Sequence, residues 1–451
     1  MIKNLLTVSA LAWLLFMVSC SKNAKDISND TSDEFSLDQR NSNGSKKVST
    51  RSTPNILLII ADDMGKDAIK GYQEGSIKPK TPNIDAIRDN GLLFTNFWVN
   101  PTCSPTRGAI ITGKYGYRTD VKEVGDVLKS SETVIQKYIN TNTNNKYATA
   151  VVGKWHLSGS NNSFNPESFG IDYYSGLIRG SVTDYYNWQL TEDGATNTQT
   201  NYITEKFTDL AINWVNSQSK PWFLWLAYNA PHTPFHVPPS NMHSQGTLPQ
   251  YTNGMNAIPY YMAAIEAMDF QIGRLLASLP ADKRENTVVI FIGDNGTPPQ
   301  VAQSPYSSSK VKNTLYQGGV NVPMFISGKG VSRRGTDTNL LNGTDLFATI
   351  AHTAGINVTD YHDSKSFKYL FSKPSTIRNF QYSELKDGTT ESWSISNGTY
   401  KLIKDNTTGS EQMYNLANDP YETKNLLNST LSAVEQNAKL QLETQLSIIR
   451  N

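Results

Sequence analysis

Apolar residues in this chain come in short dense runs, separated by stretches with helical spacing. Runs at 55–61 (NILLIIA), 147–153 (YATAVVG), 222–228 (WFLWLAY) and 288–293 (VVIFIG) are apolar at nearly every position, as in strands covered on both faces. A fifth, at 323–327 (PMFIS), is similar but shorter. Helical patterns lie between them at 82–90, 203–218 and 259–279. In the last, Met262, Ile265, Met268, Ile272, Leu275 and Leu276 repeat at three and four and make one apolar face. The alternation predicts an α/β fold, a large mostly parallel sheet flanked by helices, over residues 54–370. Beyond it, short polar strands at 393–396, 401–404 and 412–415 precede an amphipathic helix at 430–449. They predict a smaller C-terminal subdomain, residues 371–451, of antiparallel sheet plus helix.

The amino end has a different texture. Residues 5–18 (LLTVSALAWLLFMV) follow Lys3 as an apolar stretch. It is too short for a bilayer, which takes about 20 residues, and suits a secretory signal. Small Ser19 precedes Cys20, and MVSC resembles a bacterial lipoprotein signal, with Cys20 as the lipidation site. Residues 21–53 carry too few apolar side chains to bury a core and read as a disordered tether. Its reach is ~100 Å at about 3.3 Å per extended residue. The expectation is an exported protein anchored by lipid to a membrane, in the periplasm or outer membrane of a Gram-negative bacterium.

Charge and cysteine content narrow the chemistry. Across 451 residues, 41 Lys and Arg face 40 Asp and Glu, a net charge of +1 that offers no field for nucleic acid. Two cysteines, Cys20 and Cys103, exclude a disulfide framework and a cysteine-rich zinc site.

Each long run ends in polar residues. Asp62 and Asp63 follow the first; Lys154 and His156 (GKWHL) follow the second. Asn229, His232 and Thr233 (NAPHTP) follow the third, and Asp294 and Asn295 (GDNG) the fourth. Ligands of open α/β sheets bind beyond the carboxyl ends of the parallel strands, so these clusters are expected to converge. Asp62, Asp63, Asp294 and Asn295 offer only oxygen, which suits Ca²⁺ or Mg²⁺ rather than zinc. Lys154, His156, His232 and Lys312 offer charge and donors for a tetrahedral oxyanion. A metal beside several cations suits transfer of a sulfuryl or phosphoryl group.

Cys103 lies in PTCSPTRGAIITGK. This C-x-P-x-R block, with a downstream T-G, resembles the signature of type I (formylglycine-dependent) sulfatases of the alkaline-phosphatase-like superfamily. ADDMG, KTPNIDAI, GKWHL, APHTP, EAMDFQIGRLL, IGDNG, LYQGGVNVP and YNLANDPYETKNL agree with the family in order, over about residues 54–430. Thr106, Ile111 and Gln317 depart from the usual residues, and none removes a catalytic atom.

The resemblance implies an alkaline-phosphatase-like fold and a sulfuric ester hydrolase. It implies that a formylglycine-generating or anaerobic sulfatase-maturating enzyme converts Cys103 to formylglycine. Hydrated to a geminal diol, that residue would share the metal, calcium or magnesium, with Asp62, Asp63, Asp294 and Asn295. One hydroxyl would attack sulfur, His232 would protonate the leaving alcohol, and His156 would receive the proton as the aldehyde re-forms. Arg107 would hold the diol and ligands, while Lys154 and Lys312 would bind sulfate. Lys312 is preferred to Lys310 because K-x-x-x-Y-x-G-G matches the family block.

Export suits a sulfated carbohydrate or polysaccharide as substrate. The aromatic segment 169–188, with Tyr173, Tyr174, Tyr185, Tyr186 and Trp188, offers faces for sugar rings. Two other readings stay open: a phosphonate or phosphate-ester hydrolase of the same superfamily, and a surface glycan-binding lipoprotein without catalysis.

Overall fold

The computed structural model describes residues 53–161 and 164–451. The signal segment, Cys20 and the tether to residue 52 lie outside the described residues. Ten strands form the main sheet: β1 (Asn55–Ala61), β2 (Gly91–Phe94), β3 (Ala148–Lys154), β4 (Tyr173–Leu177), β5 (Trp188–Glu192), β6 (Ala195–Gln199), β7 (Trp222–Ala227), β8 (Thr287–Gly293), β9 (Met324–Gly328) and β10 (Gly335–Asp337). Their order is β10-β2-β9-β8-β1-β7-β3-β4-β5-β6.

The dense apolar runs are the central parallel strands, because each is buried on both faces. On β1, Ile56, Leu58 and Ile60 pack with Ile110, Ile111, Phe347 and Ile350 of helices Cys103–Thr112 and Asp345–Thr353. Leu57 and Ile59 face the other way, toward Phe207 and Ala211 of helix Ile203–Ser217 and Ile265 and Met268 of helix Ile258–Ser278. Burying one such side chain stabilises the fold by about 1.5–3 kcal/mol relative to exposure.

Two features depart from the sequence reading. β9 runs antiparallel to both β8 and β2, although its apolar run looks like those of the parallel strands. Residues 173–199 extend the sheet as β4, β5 and β6, with β5 antiparallel to both neighbours.

At the carboxyl end, β11 (Gln381–Asp387), β12 (Thr390–Ser396), β13 (Tyr400–Asp405) and β14 (Glu411–Asn415) form an antiparallel sheet. Ala438, Leu442 and Leu446 of helix Ala433–Arg450 cover Tyr382, Ile395, Leu402 and Met413, with Tyr115 of the main body in the same core. The helix starts later than its apolar pattern suggests because Ser432 and Glu435 close a capping box.

Candidate active site

Register brings the polar clusters together. β1 lies between β7 and β8, pairing Ala61 with Gly293 and Ile60 with Ala227, while β3 pairs Gly153 with Ala227. The carboxyl ends of four parallel strands are therefore level, and the residues just beyond them share one space.

Arg107 organises the floor of that space. It projects from helix Cys103–Thr112 and is fully buried. Its Nε and Nη2 donate to Asp294 Oδ2 at 3.1 and 2.7 Å, and Nη1 donates to the Lys154 carbonyl at 2.8 Å. Asp294 Oδ1 accepts from the Asp63 backbone N–H at 3.0 Å. Lys154 Nζ donates to Asp62 Oδ2 at 2.6 Å, and Lys312 Nζ to Asp63 Oδ2 at 2.5 Å. Asn295 Nδ2 donates to Asp63 Oδ1 at 2.8 Å. Lys310 is elsewhere, over the rings of Tyr316 and Tyr414 at 4.6 and 5.7 Å.

Three carboxylates thus meet three permanent cations. Burial raises the pKa of Asp63, but His232, Lys312 and Lys154 outweigh it and hold the group well below the usual carboxylate range. Burial, joined by Asp62, pushes Asp294 above that range despite Arg107. Asp62 Oδ1 and Asn295 Oδ1 are buried without a hydrogen-bond partner. Buried oxygens without donors are costly unless a cation takes them up.

Cys103 is the first residue of its helix, buried and free. Burial pushes its thiol pKa up against the pull of Lys154, so the thiolate is disfavoured. A reactive cysteine needs the opposite shift.

The two histidines differ. His232 Nδ1 sits 2.7 Å from the Thr233 carbonyl, which only accepts, so Nδ1 carries a proton and Nε2 faces Asp63 Oδ2 at 3.6 Å. His156 is 8% exposed with a positive φ of 62°. Burial, then Lys154 and Arg107, hold its imidazole well below the ordinary value and therefore neutral. A Cβ at Gly180 would lie 1.9 Å from His156 Nε2, so glycine there makes room for the ring.

The sequence profile of the Sulfatase family matches residues 54–356. The chain belongs to the Sulfatase family. The profile of the N-sulphoglucosamine sulphohydrolase C-terminal region also matches, over residues 311–450. The chain is 27% identical over 373 residues to the Escherichia coli (strain K12) "Uncharacterized sulfatase YdeN", covering 69% of this chain and 64% of that one. It is 28% identical over 342 residues to the Homo sapiens "N-acetylgalactosamine-6-sulfatase", covering 67% and 62%. The matched region thus spans less than two thirds of either curated relative. Ps i-CgsB, solved in complex with k-i-k-neocarrahexaose, superposes with a TM-score of 0.73 at 25% identity, over 87% of this chain and 93% of that one.

In this member of the Sulfatase family the donor set fits a hard divalent cation. Ligand atoms of Asp62, Asp63 and His232 lie within 4.8 Å of one another, and two buried oxygens accept no hydrogen bond. Other residues of the site have no signal in the motifs. Tyr261 donates from its hydroxyl to the Asp63 carbonyl at 2.6 Å, fixing a residue whose φ is +66°. Tyr185 donates to the carbonyls of Asn229 and His232 at 2.9 and 2.6 Å and so holds the loop after β7.

The expected aromatic sugar platform needs correction. Trp188 is 3% exposed, packs edge-on to Phe207 at 5.2 Å and donates from Nε1 to the Asn201 carbonyl. Tyr174 and Tyr185 are buried too, and of the five aromatic residues named only Tyr186 is exposed.

Proposed function

We propose that this chain hydrolyses sulfate esters carried on a carbohydrate, with residue 103 in its aldehyde form and a bound calcium ion. The observation that carries the reading is the oxygen-lined cradle beside buried Cys103, where Asp62 Oδ1 and Asn295 Oδ1 accept no hydrogen bond. Asp62, Asp63, Asp294 and Asn295 would hold the cation. In that setting the cation supplies Lewis-acid charge, and the hydrated aldehyde supplies an activated hydroxyl that a buried thiol with a raised pKa does not.

The remaining work belongs to ordinary side chains. Arg107 keeps Asp294 oriented through its paired donors. Lys154 and Lys312 balance Asp62 and Asp63 in the protein alone. Once a divalent cation shares those carboxylates, the ammonium groups have charge to spare for sulfate oxygens. His232 presents Nε2 beside Asp63, with Nδ1 held by the Thr233 carbonyl, and is the group placed to pass a proton to the leaving oxygen. His156 is neutral and so has a ring nitrogen free to take the second proton, although burial, Lys154 and Arg107 make it a weak base until an anion joins them.

A carbohydrate substrate is supported by the similarity to Ps i-CgsB, which was solved with k-i-k-neocarrahexaose. The test is release of inorganic ion by the matured protein from 4-nitrophenyl sulfate, 4-nitrophenyl phosphate and a panel of sulfated saccharides. Sulfate release is expected to exceed phosphate release by at least about 100-fold in kcat/KM. Dominant phosphate release, or saccharide binding without turnover, would overturn the reading. The same proposal places the protein outside the cytoplasm on a lipid at Cys20. Labelled palmitate should follow the wild-type chain and be lost in Cys20→Ala; label retained by the variant would contradict the anchor.

A further inference from the structure

A cleft of about 760 Å³ reaches the loop that carries His232: Thr233 lines it, and so does Tyr185, whose hydroxyl donates to the His232 carbonyl at 2.6 Å. That lies within the size range of small-molecule sites, about 300–1,000 Å³. Its walls belong to the loops that carry the site. Thr233 and Phe235 follow His232, Gln300 follows the Asp294–Asn295 turn, and Asp184 and Tyr186 come from the segment between β4 and β5.

The lining is aromatic and polar, with one formal charge. Tyr186 is 36% exposed, its hydroxyl donates to the Val237 carbonyl at 2.9 Å, and its ring rests against Tyr202 at 5.2 Å. It is a ring fixed in place with area to offer. Asp184 is exposed and oriented, since its Oδ1 accepts from the Tyr186 backbone N–H at 2.7 Å. Among the described residues lining the cleft there is no Lys or Arg. His236 also lines it, and burial pushes its pKa down to about 4, so it is uncharged at neutral pH. The cradle differs, since its Arg107, Lys154 and Lys312 meet three carboxylates.

We propose that this cleft is the subsite for the sugar unit adjoining the sulfated one, and that it selects an uncharged unit. Tyr186 supplies a ring face and Gln300 an amide, while the fixed carboxylate of Asp184 rejects a neighbouring unit that carries a second sulfate or a carboxylate. Specificity here comes from a repulsive element as much as from contacts. The inference rests on the sulfatase reading.

The test uses the matured full chain with three substrates: 4-nitrophenyl sulfate, a monosulfated oligosaccharide with neutral neighbours, and the same oligosaccharide with a second sulfate on the adjoining unit. Wild type is expected to prefer the neutral-neighbour substrate by at least about tenfold in kcat/KM. Asp184→Lys is expected to abolish or invert that preference. Asp282→Lys, an equal charge change on the exposed helix Ala281–Glu285 at the amino end of β8, should preserve it. Tyr186→Ala is expected to raise KM for the neutral-neighbour oligosaccharide several-fold with kcat little changed. If wild type turns over 4-nitrophenyl sulfate yet shows no preference, or if Asp184→Lys keeps the wild-type preference, the subsite proposal is wrong while the sulfatase reading stands. No turnover of any sulfate ester by matured wild type would instead remove the reading beneath it.

Discussion

Two of the buried charge clusters among the described residues are built differently. Lys401 of β13 and Glu422, in the loop after β14, are 0% and 1% exposed and pair at 2.6 Å. Lys401 Nζ lies 4.8 Å from the centre of the Trp98 ring, and the Glu422 carboxylate also accepts the Gln317 backbone N–H at 2.6 Å. One cation meets one anion, and apolar surface seals the pair. In the cradle, Asp62, Asp63 and Asp294 meet Arg107, Lys154 and Lys312; Asp62 Oδ1 accepts no hydrogen bond and has only Arg107 Nη2 at 3.8 Å, and Asn295 Oδ1 accepts none. Lys312 and His232 also keep 14% and 15% exposure. The first arrangement is closed and the second is open to a visitor. Balanced charge inside a protein is thus compatible with either scaffold or chemistry, and the convergence of three carboxylates and the opening tell them apart.

Substitutions can break that distinction. The largest effect is expected from Asp63→Asn, which should lose at least about 10³-fold in kcat on 4-nitrophenyl sulfate with the fold intact by circular dichroism. Lys401→Met should do the reverse, lowering unfolding free energy by about 3–5 kcal/mol while turnover per folded molecule is kept. Denaturant melts alongside steady-state assays read both. A stable, inactive Lys401→Met protein would erase the contrast. Trp188→Ala belongs with the scaffold, and loss of its packing should destabilise by about 3–5 kcal/mol rather than raise KM selectively.

Calcium sharpens the comparison further. At a free concentration of about 100 times Kd it should stabilise metal-free protein by about 2.7 kcal/mol in thermal melts. Asp62→Asn should abolish that gain and Lys401→Met should preserve it. Equal gains in both variants would place the ion elsewhere. The smallest effect concerns His236, whose pKa falls to about 4 in the folded chain from an ordinary 6.5. A depressed folded value means that stability is full above pH 6.5 and is lost as pH falls toward 4. The loss should be on the order of 1 kcal/mol at about pH 5.5, and His236→Gln should flatten that slope in urea titrations. An unchanged slope would show that another group titrates.

Much of this was legible in the sequence for a physical reason. A strand buried on both faces must be apolar throughout, so residues 55–61, 147–153, 222–228 and 288–293 announce themselves, and the polar residues ending them mark the site. Strand direction leaves no such trace, so residues 323–327 read like their neighbours although β9 runs antiparallel. Contacts distant in sequence are equally silent. Nothing local to Tyr261 points to Asp63, and nothing at Gly180 announces the ring of His156. The aromatic run ending at Trp188 misled because composition cannot separate a ring that packs from one that binds.

The central claim turns on one position. The direct measurement takes protein produced with graded amounts of maturation enzyme, quantifies by mass spectrometry the fraction of residue 103 present as aldehyde, and records the sulfate-release rate of each preparation. Rate is expected to rise in proportion to that fraction and to extrapolate to zero at none, with Cys103→Ala inactive throughout. Undiminished sulfate release from chains that carry only the unmodified thiol would contradict the account.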